Sequence, residues 1–169
     1  MKHLVKVAVA VVLFVAAAGV AQAQSKTAHI NVSDLLQAMP EMKAAQAELK
    51  RLEETYRADI QSSMEELKNK FTQYNNEASA MSEEENQKRA LELQGAERNI
   101  GEAQQAAQQE LAKKQAELFE PISKKAKAAI EKVAAAQGFQ YVLDSSPGSG
   151  VIVATGKDLL PEVKKELGF

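Results

Sequence analysis

The chain has 169 residues, room for about one domain, with no Cys, two His and a formal net charge of −2. The missing thiols exclude disulfide scaffolds, Cys-ligated metal clusters and thiol nucleophiles, and His3 and His29 alone give a metal site or a His relay almost no material. Lys and Arg (21) nearly balance Asp and Glu (23), so nothing advertises a nucleic-acid partner, and 5% aromatics beside abundant Ala, Gln, Glu, Lys and Leu is the bias of long helices.

Residues 1–23 read as a signal peptide. Lys2 and Lys6 form a basic start, an apolar run from Val7 to Val20 of roughly 14 residues is too short to span a bilayer, and Ala21-Gln22-Ala23 offers a small-x-small cleavage site before Gln24. A lipoprotein would need a Cys at the cut. The mature chain would then hold 146 residues at net charge −4 and work outside the cytoplasm.

Ala28 to Val32 alternates small or apolar with polar residues and predicts a strand. Ser33 is placed to cap a short helical turn through Leu35 and Leu36, which Pro40 ends and restarts, so residues 24–40 form the first part of a body. From Glu41 the apolar positions Met42, Ala45, Leu49, Leu52, Tyr56, Ile60, Met64, Leu67, Phe71, Tyr74, Ala78 and Met81 step by threes and fours. Consecutive fours around Tyr56, Ile60 and Met64 interrupt the heptad as stutters do, giving a coiled-coil-like seam that is locally unwound. The chain reverses at Ala80 to Ser82, and Ser82-Glu83-Glu84-Glu85 has the form of a capping box for a second helix that persists to about Gln137. Many of its seam positions, among them Ala96, Ala103, Ala107, Ala126 and Ala129, are Ala, so the helices can approach closely while burying little area per turn. Pro121 reads as a kink where the arm, residues 41–120, passes into the rest of the body, residues 121–169. Gly138 ends the helix, and Phe139 to Asp144 and Val151 to Ala154 are expected as a β-hairpin around a Ser/Pro/Gly turn. Asp158 is placed to cap a last helix, Leu159 to Leu167.

The expected fold class is therefore α+β: a small β-barrel-like oligomeric body carrying one long coiled-coil-like helical hairpin per chain. Three short strands make too small a sheet to be secure alone and leave edges that invite another copy. Ile30, Val32, Tyr141, Leu143, Val151 and Val153 are the candidate body residues. An arm of about 40 residues per helix would project roughly 60 Å, and several copies would enclose a space.

Few residues suggest chemistry. His29 on the first strand reads as structural, because a metal needs several ligands. Glu83 to Glu85 suit a helix start. Gly148 to Lys157 fails as a phosphate loop on spacing, and Asp158 replaces the required Ser or Thr. Lys113-Lys114 and Lys124-Lys125 are interspersed with acids and read as solvated faces. Phe71, Tyr74 and Met81 sit at seam spacing, with Met64 and Leu91 similar. A thin, Ala-rich arm cannot cover all these large side chains, which makes the five the candidates for contact with partners of no fixed shape.

The ordered set behind the signal peptide resembles the Skp/OmpH family of periplasmic chaperones: Ala28-His29-Ile30-Asn31-Val32 with Ser33-Asp34-Leu35-Leu36, the Ala/Gln/Glu/Lys-rich hairpin, Gly138-Phe139-Gln140-Tyr141-Val142-Leu143-Asp144, and Asp158-Leu159-Leu160-Pro161-Glu162-Val163. The resemblance implies a periplasmic homotrimer with a central strand barrel and three arms around a cavity for unfolded outer-membrane β-barrel proteins. The mature chain departs from strongly basic members in being mildly acidic. The expected function is an ATP-independent holdase without cofactor, metal or nucleic-acid partner, holding clients by many weak contacts and releasing them by competition, for example when a barrel begins to fold into a membrane; transient membrane association is a separate expectation. A structural coiled-coil spacer of the cell envelope is the other expectation, and an enzyme is remote.

Overall fold

The computed structural model describes residues 26–169, so the expected signal peptide and its cleavage before Gln24 lie outside the described residues. Thr27–Ile30 forms β1, with Ala28 and Ile30 buried and Thr27 exposed, the alternation of a half-buried strand. It ends short of the expected Val32. Asn31 turns the chain and caps α1, Val32–Ala38, its side-chain oxygen accepting the Asp34 amide at 3.0 Å. Asn31 thus takes the place expected of Ser33, whose hydroxyl instead accepts from the Gln37 side chain at 3.1 Å, and Val32 opens a helix rather than extending a strand.

Met39 is extended, at φ −63° and ψ 129°, as the residue before a proline prefers, and Pro40 occupies the first turn of α2, Pro40–Glu77. A single 3₁₀ turn, Ala78–Ala80, reverses the chain where expected, and Ser82 caps α3, Glu83–Ala136. Half of the capping box is made. The Ser82 hydroxyl accepts the Glu85 amide at 3.2 Å, while the Glu85 carboxylate faces Arg89 at 3.7 Å. Ion pairs Glu41–Lys125, Glu48–Lys114 (2.8 Å) and Lys70–Glu92 (2.7 Å) set the two long helices antiparallel along their length. Pro121 lies within α3 without ending it, and regular burial of α3 begins just beyond it, at Ile122, Ala126, Ala129 and Val133. A complete Schellman motif closes the helix: Phe139 donates to the Ala134 carbonyl at 2.9 Å and Gly138, at φ 71°, to Ala135 at 3.1 Å.

The sheet differs most from expectation. β2, Tyr141–Asp144, and β3, Lys157–Asp158, both lie parallel to β1, one on each side, in the order β2-β1-β3. Val151 to Ala154 forms no strand and no hairpin with β2. The reason is geometric: two strands that both run parallel to the one between them cannot be joined by a tight turn, so the residues between Asp144 and Lys157 are spent on the crossover. Gly148 and Gly150, at φ 86° and 90°, supply its bends. The last helix, α4, Leu160–Leu167, starts one residue later than expected, and the Asp158 carboxylate accepts the Leu160 amide at 2.9 Å although Leu159 holds the cap position.

The core sits where both chain ends meet the foot of the arm. Ile30, Leu35, Met39, Leu159 and Val163 are fully buried, and Met42, Ala45, Ile122, Ala126, Ala129 and Val133 pack around them. Beyond Ala45 and Ile122, Ala107 alone among the described arm residues is buried.

Candidate functional site

The arm offers three kinds of surface. At its tip is a closed polar cluster. The Arg89 guanidinium, only 15% exposed, lies 4.5 Å from the centre of the Tyr74 ring and 2.9 Å from Glu77. The Tyr74 hydroxyl donates to one oxygen of Glu92 at 2.8 Å and Lys70 to the other at 2.7 Å. Tyr74, a candidate for partner contact, is thereby committed to the arm's own structure.

The Lys70 ammonium, and after it the Tyr74 hydroxyl, holds the Glu92 carboxyl below its ordinary value of 4.5, and Glu92 in turn raises both partners. Glu77 is lowered first by the Gln73 amide and then by Arg89. Carboxyls depressed in the folded chain contribute their stability above the ordinary value and lose it as pH falls through the folded one. Amide protection across residues 74–92 is therefore expected to hold from pH 7 to about 5 and to decline below about 4.5, and Glu92→Gln should flatten that decline. Protection that is pH-independent in the parent would contradict the clasp. These groups are solvated, so added salt should weaken the same effect.

The second surface is apolar and open. Met64, Phe71 and Leu91 are 54%, 55% and 64% exposed, and Met81 at the tip is 37% exposed. Phe71 and Met81 therefore do not serve as seam, although their spacing places them on it. The register set by Lys70 and Glu92 puts Phe71 and Leu91 at the same height near the tip. Polar or charged side chains stand near each of these residues in sequence, Glu65 and Glu66 after Met64, Lys70 beside Phe71, Glu83 after Met81 and Glu92 beside Leu91, so the arm presents separate apolar spots rather than a continuous stripe.

The third is a cleft between α2 and α3 about midway along the arm, of about 620 Å³, with Tyr56, Ile60, Leu67 and Ile100 among its apolar lining. Sequence reasoning did not single it out, but its cause is legible. The consecutive four-residue steps at Tyr56 and Ile60 face Ala96, Ala103 and Ala106, which are too small to fill the space.

At the base, β2 and β3 each keep one edge unpaired among the described residues. Tyr141 and Leu143 on β2 are 60% and 47% exposed, and Ile152 and Val153 on the crossover are 96% and 74% exposed, with Val151 half-buried. A second apolar groove of about 570 Å³ adjoins β2 and is lined in part by Val32, Leu36, Ile130, Phe139 and Val142. Of the candidate body residues, Ile30 is consumed in the chain's own core, whereas Val32 lines this groove from α1. His29 lies against the Ser145 hydroxyl at 3.1 Å. Burial raises the Asp144 carboxyl, but the hydroxyl and amide of Ser146 and the Val32 amide outweigh that and leave it lowered, so it clasps the end of β2 to the start of α1. Among the described residues no group of three or more His, Asp or Glu could hold a metal ion, and no helix is long and apolar enough to cross a membrane.

The family model described as "Outer membrane protein (OmpH-like)" matches residues 26–167. The chain is 24% identical over 155 residues to a chaperone protein Skp from Pectobacterium atrosepticum, covering 92% of this chain and 93% of that one. It is 26% identical over 132 residues to a chaperone protein Skp from Vibrio cholerae, covering 76% of each. A solved structure from Caulobacter crescentus, described as an OmpH-like outer membrane chaperone, shares the fold at a TM-score of 0.76 and 18% identity, over 86% of this chain and 85% of that one.

Proposed function

The chain belongs to the OmpH-like outer membrane protein family, and from that premise we propose that it is an ATP-independent holdase of the periplasm that keeps unfolded outer-membrane β-barrel proteins from aggregating. It is a chaperone-family protein and not an enzyme. The observation that carries the reading is the exposure of Met64, Phe71 and Leu91 on an arm that has almost no buried interior of its own. An arm that served only as a rigid spacer would gain nothing from leaving large apolar side chains in water. Met and aromatic groups set singly among charges suit many weak, reversible contacts with a chain of no fixed shape.

Enclosure is the second part of the proposal. Three copies close their small sheets into a barrel, covering the open β2 and β3 edges, the Val151 to Val153 segment and the groove beside β2. The three arms then surround a space in which the unpaired strands of one client cannot meet those of another. The unpaired edges and the 96% exposed Ile152 support this assembly.

The test is dilution of a urea-unfolded outer-membrane barrel into buffer with and without the purified mature chain, followed by light scattering. Stoichiometric trimer is expected to suppress scattering without nucleotide, and Phe71→Ser with Leu91→Ser to weaken suppression several-fold at unchanged helicity. Scattering unchanged by excess chain would reject the proposal.

A further inference from the structure

The mid-arm cleft differs from the exposed apolar spots in having a rim dominated by negative charge, three carboxylates to one ammonium. Among the described residues Asp59 and Glu110 border it without an ion pair, and the rim cation Lys70 is hydrogen-bonded to Glu92 at 2.7 Å and lies within electrostatic reach of Glu66, so the three carboxylates outweigh it. The imbalance extends to the whole arm. Residues 41–120 hold eleven Lys and Arg against seventeen Asp and Glu, a net charge of −6, whereas the rest of the described chain carries +2.

We propose that this cleft is a docking site for unfolded client segments in which a large apolar side chain is flanked by lysine or arginine. The inference rests on the holdase reading and adds to it a chemical preference among clients. The volume of about 620 Å³ lies in the range of pockets that engulf a small ligand, and so accommodates an aromatic or branched side chain with part of its backbone. The apolar floor supplies attraction that tolerates many shapes. The three carboxylates stand where a lysine or arginine next to the inserted side chain would reach them, on a stem that lies along apolar surface. Charges in water are screened beyond about 8 Å at physiological ionic strength, so the selection acts on residues neighbouring the anchor rather than on the net charge of the client. An acidic segment would meet repulsion at the same rim, which makes the cleft discriminate by exclusion as well as by attraction.

The experiment uses the full mature chain and two short fluorescent peptides, one alternating Lys with Phe and Leu, the other with Glu in place of every Lys. The Lys peptide is expected to bind roughly tenfold more tightly at low salt, the size of a few exposed ion pairs acting together. Neutralising the rim with Asp59→Asn, Glu66→Gln and Glu110→Gln, all at exposed positions, should remove most of that preference. Filling the cleft with Ala103→Phe should weaken the Lys peptide several-fold without altering helicity or oligomeric mass. Equal binding of the two peptides, or a preference that survives neutralisation of the rim, overturns the proposal. A change of oligomeric mass in Ala103→Phe also overturns it, because the cleft would then be filled by a second copy. Protection of an unfolded barrel against aggregation is measured on the same preparations. Loss of that protection in the parent chain would sink the holdase reading, whereas protection without peptide preference would sink the cleft assignment alone.

Discussion

Val163→Asp is expected to unfold the base of the molecule. Val163 is fully buried beside Leu159, which α4 brings against β1 and the foot of α3. Losing its buried methyls costs about 2 kcal/mol, and placing a carboxyl there without a partner costs several kcal/mol more whether it stays charged or takes up a proton. Against a net stability on the order of 5–15 kcal/mol for a domain, that removes much or all of the margin. Circular dichroism should show the cooperative thermal transition shifted down by at least about 10 °C or lost, and amides of β1 should exchange freely. A transition within a few degrees of the parent would mean that α4 is not part of the cooperative core. Phe71→Ala on the arm, at a site 55% exposed, should by contrast leave the transition nearly unmoved.

The second large effect is expected in assembly. In the isolated chain Ile152 lies almost wholly and Val153 largely in water, so Ile152→Asp with Val153→Asp should cost the single chain little. In a closed trimer the same positions would place unpaired carboxylates at every junction between copies, at several kcal/mol each. If the parent is the proposed trimer, sedimentation of the double variant at micromolar concentration is expected to give a third of its mass, and suppression of barrel aggregation should fall with it because the proposed enclosure would be lost. An unchanged trimer with an unchanged urea midpoint would remove this segment from the interface. The design separates the two levels of structure: Val163 tests what one copy holds together, and Ile152 with Val153 tests what the copies share.

Helix ends were legible wherever a residue enforces them chemically. Pro40 cannot be preceded by helical backbone without strain, Ser82 has a hydroxyl within reach of the Glu85 amide, and Gly138 adopts a left-handed φ that other residues resist. Strand pairing was not legible, because nothing local to Val151-Ile152-Val153-Ala154 distinguishes a strand that finds a partner within its chain from one that does not. That β1 would slip between β2 and β3 follows from contacts more than a hundred residues apart, as between the Val32 amide and Asp144, 112 residues away. On the arm, seam spacing identified Met42 and Ala45 as inward but misplaced Phe71 and Met81. A periodic stripe defines a face, and how much of that face is covered depends on the bulk of the opposing helix, which is Ala at many seam positions. The same shortage of bulk produces the cleft beside Tyr56 and Ile60, so the irregular steps marked the right place without showing that space would be left there.

The tip turn at Ala78–Ala80 has a bearing on how the ends of the chain find each other. Bringing Val32 to Asp144 through a free loop of 112 residues would cost about 4 kcal/mol of closure entropy before any contact repaid it. Nucleation at the tip needs only a few residues, after which α2 and α3 can add one turn against another, each step closing a loop no longer than the last. Pairing that ran down to Glu41 and Lys125 would deliver the two halves of the sheet to each other. An arm that zips in this way would serve the assembly of the body as well as the surface it presents.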